Sequence, residues 1–259
     1  MPWTFAHPAA VLPLRRLCPG TLNFPALVAG TLAPDFGYYV GAMSLASFAH
    51  RLPGTLVAAL PAGIALLALF YLVRRPLWYL LPEPHRTLLA TGAHEPLPRS
   101  PSHWLSAAVS VLLGVWTHVA WDSFTHAQGW AVAHLPALHE VSIAIAGAPM
   151  PLCDLLQHAS TVIGTAALVA AYRAWLHGQG EGRLLAFAPS DRWRYAVLAT
   201  LAVFACALAL VWAPGAGHAF VFHAAVYGAV VFASTLLCVA SVCYACRRVW
   251  APSRNWHLS

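Results

Sequence analysis

Long runs of apolar residues, separated by short polar stretches, dominate the chain. A membrane-spanning helix needs about 20 mainly apolar residues, and five runs reach that length or come close to it. They extend over residues 54–73, 103–121, 153–175, 195–212 and 218–246. The last run is longer than one crossing requires, so we expect its helix to tilt or to extend beyond the bilayer. The pattern predicts an all-α, polytopic integral membrane helix bundle with five spans.

A sixth apolar stretch, residues 24–47, has a different character. It contains Gly30, Pro34, Asp35, Gly37 and Gly41, which are helix-breaking or costly inside a helix. We expect helices that break at the sequence APDF and that lie against the bundle or re-enter the membrane. Irregular backbone at membrane depth is tolerated only where protein or a wet cavity covers it. A sixth full span remains an alternative at this point.

We interpret the chain as one integral membrane domain of residues 1–259. Within it, residues 1–53 form a broken-helix segment that contributes to a site, and residues 54–176 form a three-span core. Residues 177–246 add two further spans, and residues 247–259 form a cytoplasmic tail. The N-terminus lacks the basic, apolar and cleavable regions of a signal peptide, so we expect His7 to remain in the mature protein.

The positions of arginine predict the orientation, since cytoplasmic loops of membrane proteins carry an excess of Lys and Arg. Arg residues occur in the segments after the first, third and fifth runs, whereas residues 123–152 and the turn after the fourth run have none. The Arg-free loops are therefore expected outside the cytoplasm and the C-terminus inside, in a bacterial inner membrane. Arg15, Arg16 and Arg51 fit this model less well, because it places them outside.

The composition indicates a membrane protein and gives no sign of a nucleic-acid partner. The chain is 60% hydrophobic and 8% charged, with a formal net charge of +6, whereas soluble domains carry about 25% charged residues. The Arg residues are scattered beside apolar runs, which does not indicate a nucleic-acid partner. Cys238, Cys243 and Cys246 have a metal-like spacing, but within an apolar run they are better interpreted as packing residues.

The few ionisable residues on the Arg-free side come from separate segments, yet the predicted topology brings most of them to one face of the membrane. They are Asp35, His50, His118, Asp122, His126, Asp154 and His158. Only four Asp occur in the chain, and three of them belong to this set. An unpaired Asp in a membrane segment costs several kcal/mol, so packing alone does not explain these choices.

The spacing His118-x3-Asp122-x3-His126 places three side chains on one helical stripe. Residues four apart lie about 6 Å apart along the axis, so His118 and Asp122 can reach one ion. His126 would lie roughly 12 Å from His118 if the helix continued, and it would serve a second ion, or the same ion after a helix break. A simple hydrogen bond between His118 and Asp122 is the alternative. Imidazole with carboxylate suits Zn²⁺, Mn²⁺ or Fe.

Five motifs resemble the bacterial membrane proteins grouped as domain of unknown function 4184. They are MPWTFAHPAAVLPLRR, LVAGTLAPDFGYYV, FAHRLPGT, THVAWDSFTHAQGW and DLLQHASTVIG. More distantly, their order is similar to inner-membrane metal-dependent hydrolases and to the zinc-dependent phospholipase C and nuclease fold. That resemblance implies a set of metal ligands: His7, Asp35, His50, His118, Asp122 and His126. The chain departs from the hydrolases in having Phe36 after Asp35, and FAH with Arg51 in place of a THS-like triplet.

Together these patterns predict a membrane-embedded metal-dependent hydrolase of phosphoester or lipid-linked substrates. Its site would lie at the extracytoplasmic face, hold Zn²⁺ or another divalent transition metal, and accept a phospholipid or polyprenyl phosphate. Asp154 or His158 would act as acid or base. The alternative is a non-catalytic protein that binds metal or haem, or a small transporter, although the absence of clear inverted repeats disfavours a transporter.

Overall fold

The computed structural model describes residues 3–18, 20–91, 98, 100–145, 148–180 and 189–250. Over these residues it is almost entirely helical. The expected cytoplasmic tail lies mostly at residues 251–259, outside the described residues. The helices α1–α7 are Leu12–Leu17, Phe24–Leu32, Phe36–Tyr39, Met43–Ala49, Leu52–Gly54, Leu60–Leu80 and His85–Thr91. The helices α8–α13 are Pro101–Thr125, Trp130–His134, Ala137–Glu140, Leu152–Gly178, Arg192–Trp212 and Gly217–Trp250.

Three short elements complete this order. A 3₁₀ helix, Thr4–Val11, precedes α1, and a π-helical turn, Thr55–Ala59, joins α5 to α6. A single 3₁₀ turn, Pro189–Asp191, precedes α12.

Five helices are long and apolar enough to cross a membrane, as the five apolar runs predict. Their bounds are Leu52–Leu80, Pro101–Thr125, Leu152–Gly178, Pro189–Trp212 and Ala219–Arg247. Most side chains in these segments face outward, with between 6% and 33% of the most apolar window buried. Apolar side chains on the outside of long helices are what a lipid environment requires. The chain is a multi-pass membrane protein with five candidate spans.

The segment of residues 24–47 is broken, as its sequence predicts, and it forms α2, α3 and the start of α4 instead of a sixth span. Asn23 caps α2 by accepting a hydrogen bond from the Ala26 amide at 2.8 Å, and Pro25 stands in the first turn, where it needs no amide partner. The helix ends before Asp35, and Gly41 adopts a positive φ of 74° between α3 and α4. These breaks place Asp35 and His50 at helix termini.

By its internal contacts the chain forms two compact units. Unit 1 comprises residues 1–68 and 96–174, and unit 2 comprises residues 69–95 and 175–259. All six predicted metal ligands belong to unit 1. The interpretation as one integral domain with four successive segments stays a prediction.

The core of unit 1 is the crossing of α2 with α8. Glycines allow the two backbones to touch: a Cβ added to Gly30 would lie 2.1 Å from the Val111 carbonyl oxygen, and one added to Gly114 would lie 2.2 Å from the Leu27 carbonyl oxygen. Leu27, Val111 and Val115 fill the space around the crossing and are fully buried. This close approach holds the end of α2 beside the second half of α8, where the site residues lie.

A two-stranded antiparallel hairpin, β1 (Ser142–Ile145) and β2 (Ala148–Pro151), lies within the Arg-free loop. Its register pairs Ser142 with Pro151 and Ile143 with Met150. The sequence pattern did not predict this hairpin, because two four-residue strands carry too short an alternation to stand out from a loop.

Candidate metal centre

Two chain breaks and one long helix bring four predicted ligands together. Asp35 lies just after α2, and His50 is the residue at which α4 ends. His118 and Asp122 lie one turn apart near the end of α8. Asp35 and His118 are completely or almost completely buried, and Asp122 is 5% exposed. The expected convergence of separate segments is therefore present.

The four side chains each direct one atom at a common point. The Asp122 Oδ2 atom lies 3.2 Å from His118 Nε2 and 3.3 Å from His50 Nε2. The Asp35 Oδ1 atom lies 3.4 Å from His50 Nε2 and 3.6 Å from His118 Nε2. All four ligand atoms lie within 4.8 Å of one another, so the cluster could hold a metal ion. We call these four residues the metal cluster.

The backbone fixes which imidazole nitrogen faces the cluster. His118 Nδ1 is 2.7 Å from the Thr31 carbonyl oxygen, and His50 Nδ1 is 2.8 Å from the Ala46 carbonyl oxygen. A carbonyl only accepts hydrogen bonds, so each Nδ1 carries the proton and donates it. In the neutral rings both Nε2 atoms then present lone pairs, and these atoms are 3.3 Å apart. A cation or a shared proton must lie between them, as in metal sites whose histidines are oriented by carbonyls.

The carboxylates are held in the same way. Thr4, in the N-terminal 3₁₀ helix, donates a 2.6 Å hydrogen bond from Oγ1 to Asp35 Oδ2, which leaves Oδ1 directed at the cluster. Among the described residues, three buried side-chain atoms lack a hydrogen-bond partner: His7 Nε2, Asp35 Oδ1 and Asp122 Oδ1. Buried polar atoms are nearly always satisfied, and all three orphaned atoms lie at this site.

His7 joins the site from the N-terminal 3₁₀ helix. Its ring stacks on that of His118 with centroids 3.8 Å apart, and its Nε2 atom is 3.5 Å from Asp122 Oδ1. Burial lowers the pKa of His7 to about 3. The ring is therefore neutral, which is the form that binds metals. His7 thus approaches Oδ1 of Asp122, whereas His50 and His118 approach Oδ2.

His126 reaches the site because α8 ends. Its backbone leaves the helical conformation at φ −120° and ψ 136°, and its Nδ1 atom lies 3.6 Å from Asp122 Oδ1. The helix break that the sequence left open is therefore present, and His126 lies at the end of α8 with its ring beside Asp122. It is a neighbour of Asp122 Oδ1, as His7 is, and lies outside the four-residue metal cluster.

Electrostatics favour a cation at this point. Burial by itself disfavours a charged His50, but the neighbouring carboxylates of Asp122 and Asp35 raise the pKa of His50 to about 10. Two carboxylates this close in a buried setting repel each other unless positive charge lies between them. Either an imidazolium or a metal ion can supply that charge, and a metal ion would displace the proton.

Asp154 and His158, the predicted acid or base, lie in the first turns of α11. Asp154 is half-buried and His158 is exposed. Among the described residues, neither takes part in the metal cluster or in an ion pair with it. Their catalytic role stays a prediction.

Access to the cluster is from the side of His50 and His126. Their side chains are 21% and 29% exposed, whereas those of His118 and Asp35 are inaccessible. Arg51 follows His50 with an exposed side chain. Sequence reasoning missed Thr4, whose signal was its position three residues before His7 in the motif MPWTFAH.

Comparison with known proteins identifies the family of this chain. The family model described as Domain of unknown function (DUF4184) matches residues 1–246. The chain belongs to this family. No curated protein and no solved structure matches it. The resemblance drawn from the five motifs is confirmed and extends over nearly the whole chain, while the likeness to metal-dependent hydrolases and to phospholipase C stays a prediction.

Proposed function

We propose that this DUF4184 protein is a membrane-embedded metal-dependent hydrolase that cleaves phosphoester or lipid-linked substrates. The observation that carries the proposal is the convergence of Asp35, His50, His118 and Asp122 on one point, with orphaned atoms of buried carboxylates beside it. Structural pairing would satisfy those atoms with protein donors. A site built for an ion leaves them for the ion.

Zinc is the metal that we propose. Zinc bonds of about 2.0–2.2 Å in a tetrahedron imply ligand–ligand distances of about 3.3–3.6 Å. Five of the six separations among the ligand atoms of the metal cluster are 3.2, 3.3, 3.3, 3.4 and 3.6 Å, and the sixth, between Asp35 and Asp122, is at most 4.8 Å. Imidazole and carboxylate ligands also suit Zn²⁺ better than the oxygen-only sets of Mg²⁺ or Ca²⁺. His7 and His126 lie beside the other oxygen of Asp122, where they would serve a further ion.

When bound, the metal supplies an activated water and stabilises negative charge on a phosphoryl oxygen. The protein's own residues would do the rest. His118 and Asp35 hold the site rigid, since both are buried and bonded to backbone or Thr4. His50 lies at the accessible edge, and the exposed guanidinium of Arg51 would bind a phosphoryl oxygen of the substrate. Asp154 or His158 would act as acid or base.

The position of the site next to candidate membrane spans suggests the class of substrate. The site lies at the ends of short helices next to candidate spans, so an amphiphilic phosphoester such as a phospholipid or polyprenyl phosphate could reach it from the bilayer. The Arg distribution favours a bacterial inner membrane, an extracytoplasmic site and a cytoplasmic C-terminus. No nucleic acid is expected as a partner.

Elemental analysis of the purified protein is the first test. We expect zinc in the wild-type protein and in Asp154→Ala, and its loss from Asp122→Ala, because Asp122 lies beside all four proposed histidine ligands, two at each of its oxygens. Full metal stoichiometry in Asp122→Ala would contradict the metal site. Lipid phosphodiesters and polyprenyl phosphates would then be screened with and without chelator. Activity that persists after the metal is removed would contradict the proposed chemistry.

The same experiment separates the alternative functions. Stoichiometric zinc without hydrolysis of any lipid phosphoester would favour a non-catalytic metal protein. An absorption scan would reveal haem, although the two carboxylates occupy the space beside His50 and His118 that a porphyrin would need. Substrate uptake into vesicles would favour a transporter.

A further inference from the structure

Unit 2 contains a second concentration of polar side chains, separate from the metal cluster. The end of α6, the start of α12 and the end of α13 meet around Tyr79. The guanidinium carbons of Arg194 and Arg247 lie 5.4 Å and 5.2 Å from the Tyr79 ring centroid. The rings of Trp193 and Tyr244 lie 6.4 Å and 6.0 Å from it. We call these five residues the arginine–tyrosine cluster.

Two carboxylates close to this cluster, those of Asp191 and Glu83, hold the fold. Asp191 is fully buried and accepts a 2.7 Å hydrogen bond from Arg194 Nη1 and a 2.8 Å hydrogen bond from the Glu83 amide. Glu83 in turn pairs with Arg86 and accepts hydrogen bonds from Thr87. Arg194 also donates from Nε to the Tyr79 carbonyl oxygen at 3.2 Å. This network fixes one guanidinium against Tyr79 and holds the loop after α6 on α12.

Charge is distributed unequally between the two units. Unit 2 carries nine of the chain's 14 Arg and only four of its eight acidic residues, whereas unit 1 carries five Arg and four acids. The excess of five positive charges in unit 2 thus accounts for most of the chain's net charge of +6. Positive charge at the end of a helix bundle favours anionic ligands, and anionic membrane lipids are attracted by about 1 kcal/mol for each nearby Arg.

The aromatic residues set the depth of the cluster. Tyr79 lies in the last turn of α6, Trp193 in the first turn of α12, and Tyr244 near the end of α13. Tyr and Trp at the ends of spans lie at the level of lipid headgroups. Arg74, one turn before Trp78 on α6, is held in the same way, with its guanidinium 4.8 Å from the Tyr71 ring centroid and 5.5 Å from that of Trp78. The cations are therefore at the depth of phosphate groups.

We propose that the arginine–tyrosine cluster binds the phosphate headgroup of an anionic phospholipid. Arg247 is half-buried at the end of α13 and would contact a phosphate oxygen while keeping its stack on Tyr79. A guanidinium suits this task, because it binds phosphate through two parallel hydrogen bonds and stacks on aromatic rings. The ligand is a lipid and not a soluble anion, since acyl chains would lie along the exposed apolar faces of α12 and α13.

The test uses the full-length protein in a neutral detergent. Phosphatidylglycerol, phosphatidylcholine or inorganic phosphate is added, and bound lipid is counted by native mass spectrometry alongside the melting temperature. We expect wild type to bind phosphatidylglycerol preferentially. Arg247→Gln should weaken that binding about fivefold, the loss of about 1 kcal/mol for one Arg. Arg247→Lys, which keeps the charge, should lose less.

Arg15→Gln is the matched control, because Arg15 also stacks on an aromatic ring, Phe24, at 4.8 Å, and lies in unit 1. It should bind phosphatidylglycerol like wild type. Equal binding of phosphatidylcholine and phosphatidylglycerol would overturn the proposal, as would an equal loss in Arg15→Gln, which would mean that only the total charge matters. A response to inorganic phosphate as large as that to phosphatidylglycerol would show an anion site with no lipid preference, and it would overturn the proposal too.

Discussion

At the scale of single residues, three side chains of the metal cluster are oriented by a hydrogen bond at their second polar atom. Thr31 and Ala46 carbonyls accept from the two histidines, and Thr4 donates to Asp35. The sequence predicted the four residues of the metal cluster but not these supporting bonds, because their partners are backbone groups or a threonine 31 residues away in the chain. Nothing in a local pattern indicates which carbonyl a histidine will find.

Thr4→Val tests the support of Asp35. Valine keeps the shape of threonine but removes the donor to Asp35 Oδ2, so a buried carboxylate oxygen loses its partner and the side chain can rotate. Loss of such supporting bonds lowers metal affinity about 10- to 100-fold, measurable by titration against a competing chelator.

Thr4→Ser should retain most of the affinity. Thr21→Val, which removes an exposed hydroxyl that donates to the Cys18 carbonyl at 3.1 Å, should leave it unchanged; a loss there equal to that in Thr4→Val would contradict the prediction.

At the scale of elements, the glycine-mediated contact of α2 with α8 positions the ligands. Gly114 lies one turn before His118, and the Cβ of an alanine there would lie 2.2 Å from the Leu27 carbonyl oxygen and 2.9 Å from the Thr31 amide nitrogen. Since His118 donates to the Thr31 carbonyl, the same contact sets both the helix spacing and the orientation of His118. The packing of the two helices thus helps to position the metal cluster.

Gly114→Ala is therefore expected to separate the helices and to weaken metal binding although it changes no ligand. Overpacking a tight contact costs about 1–3 kcal/mol, so the melting temperature in detergent should fall together with metal affinity. Gly178→Ala is the matched control: Gly178 ends α11, and an added Cβ meets nothing within 4 Å. If Gly114→Ala melts and binds metal like wild type, the close contact does not position the site.

The elements themselves were largely predictable, and the contacts between them were not. Five long apolar runs predicted the five spans, and Pro34, Gly37 and Gly41 predicted the breaks after α2, because both signals are local and strong. The end of α8 at His126 was not predictable, since the spacing of four residues fits a continued helix equally well. The hydrogen bond from the Glu83 amide to Asp191 joins residues 108 positions apart, and no local pattern predicts such a pair.

At the scale of the whole molecule, the orientation in the membrane decides which compartment the metal cluster faces. The loop of residues 123–152, which contains α9, α10 and the hairpin, has no Arg. It begins beside Asp122 and His126, so the cluster and this loop lie on the same side of the membrane. The next polar segment, residues 177–194, has three Arg, and the chain ends with three more after residue 246. The positive-inside rule predicts that these Arg-bearing segments lie in the cytoplasm and the loop outside it.

Reporter fusions test that orientation directly. Alkaline phosphatase, which is active only outside the cytoplasm, should be active when inserted between α10 and β1 and inactive when fused after residue 259. Green fluorescent protein should give the opposite result at the tail.

Arg15, Arg16 and Arg51 oppose this orientation, since the same model places them outside. Replacing all three by Gln should therefore leave the phosphatase and fluorescence results unchanged, or increase the difference between the loop and the tail. An active phosphatase at the tail would reverse the orientation, and a lipid substrate would then have to reach the metal cluster from the cytoplasmic leaflet.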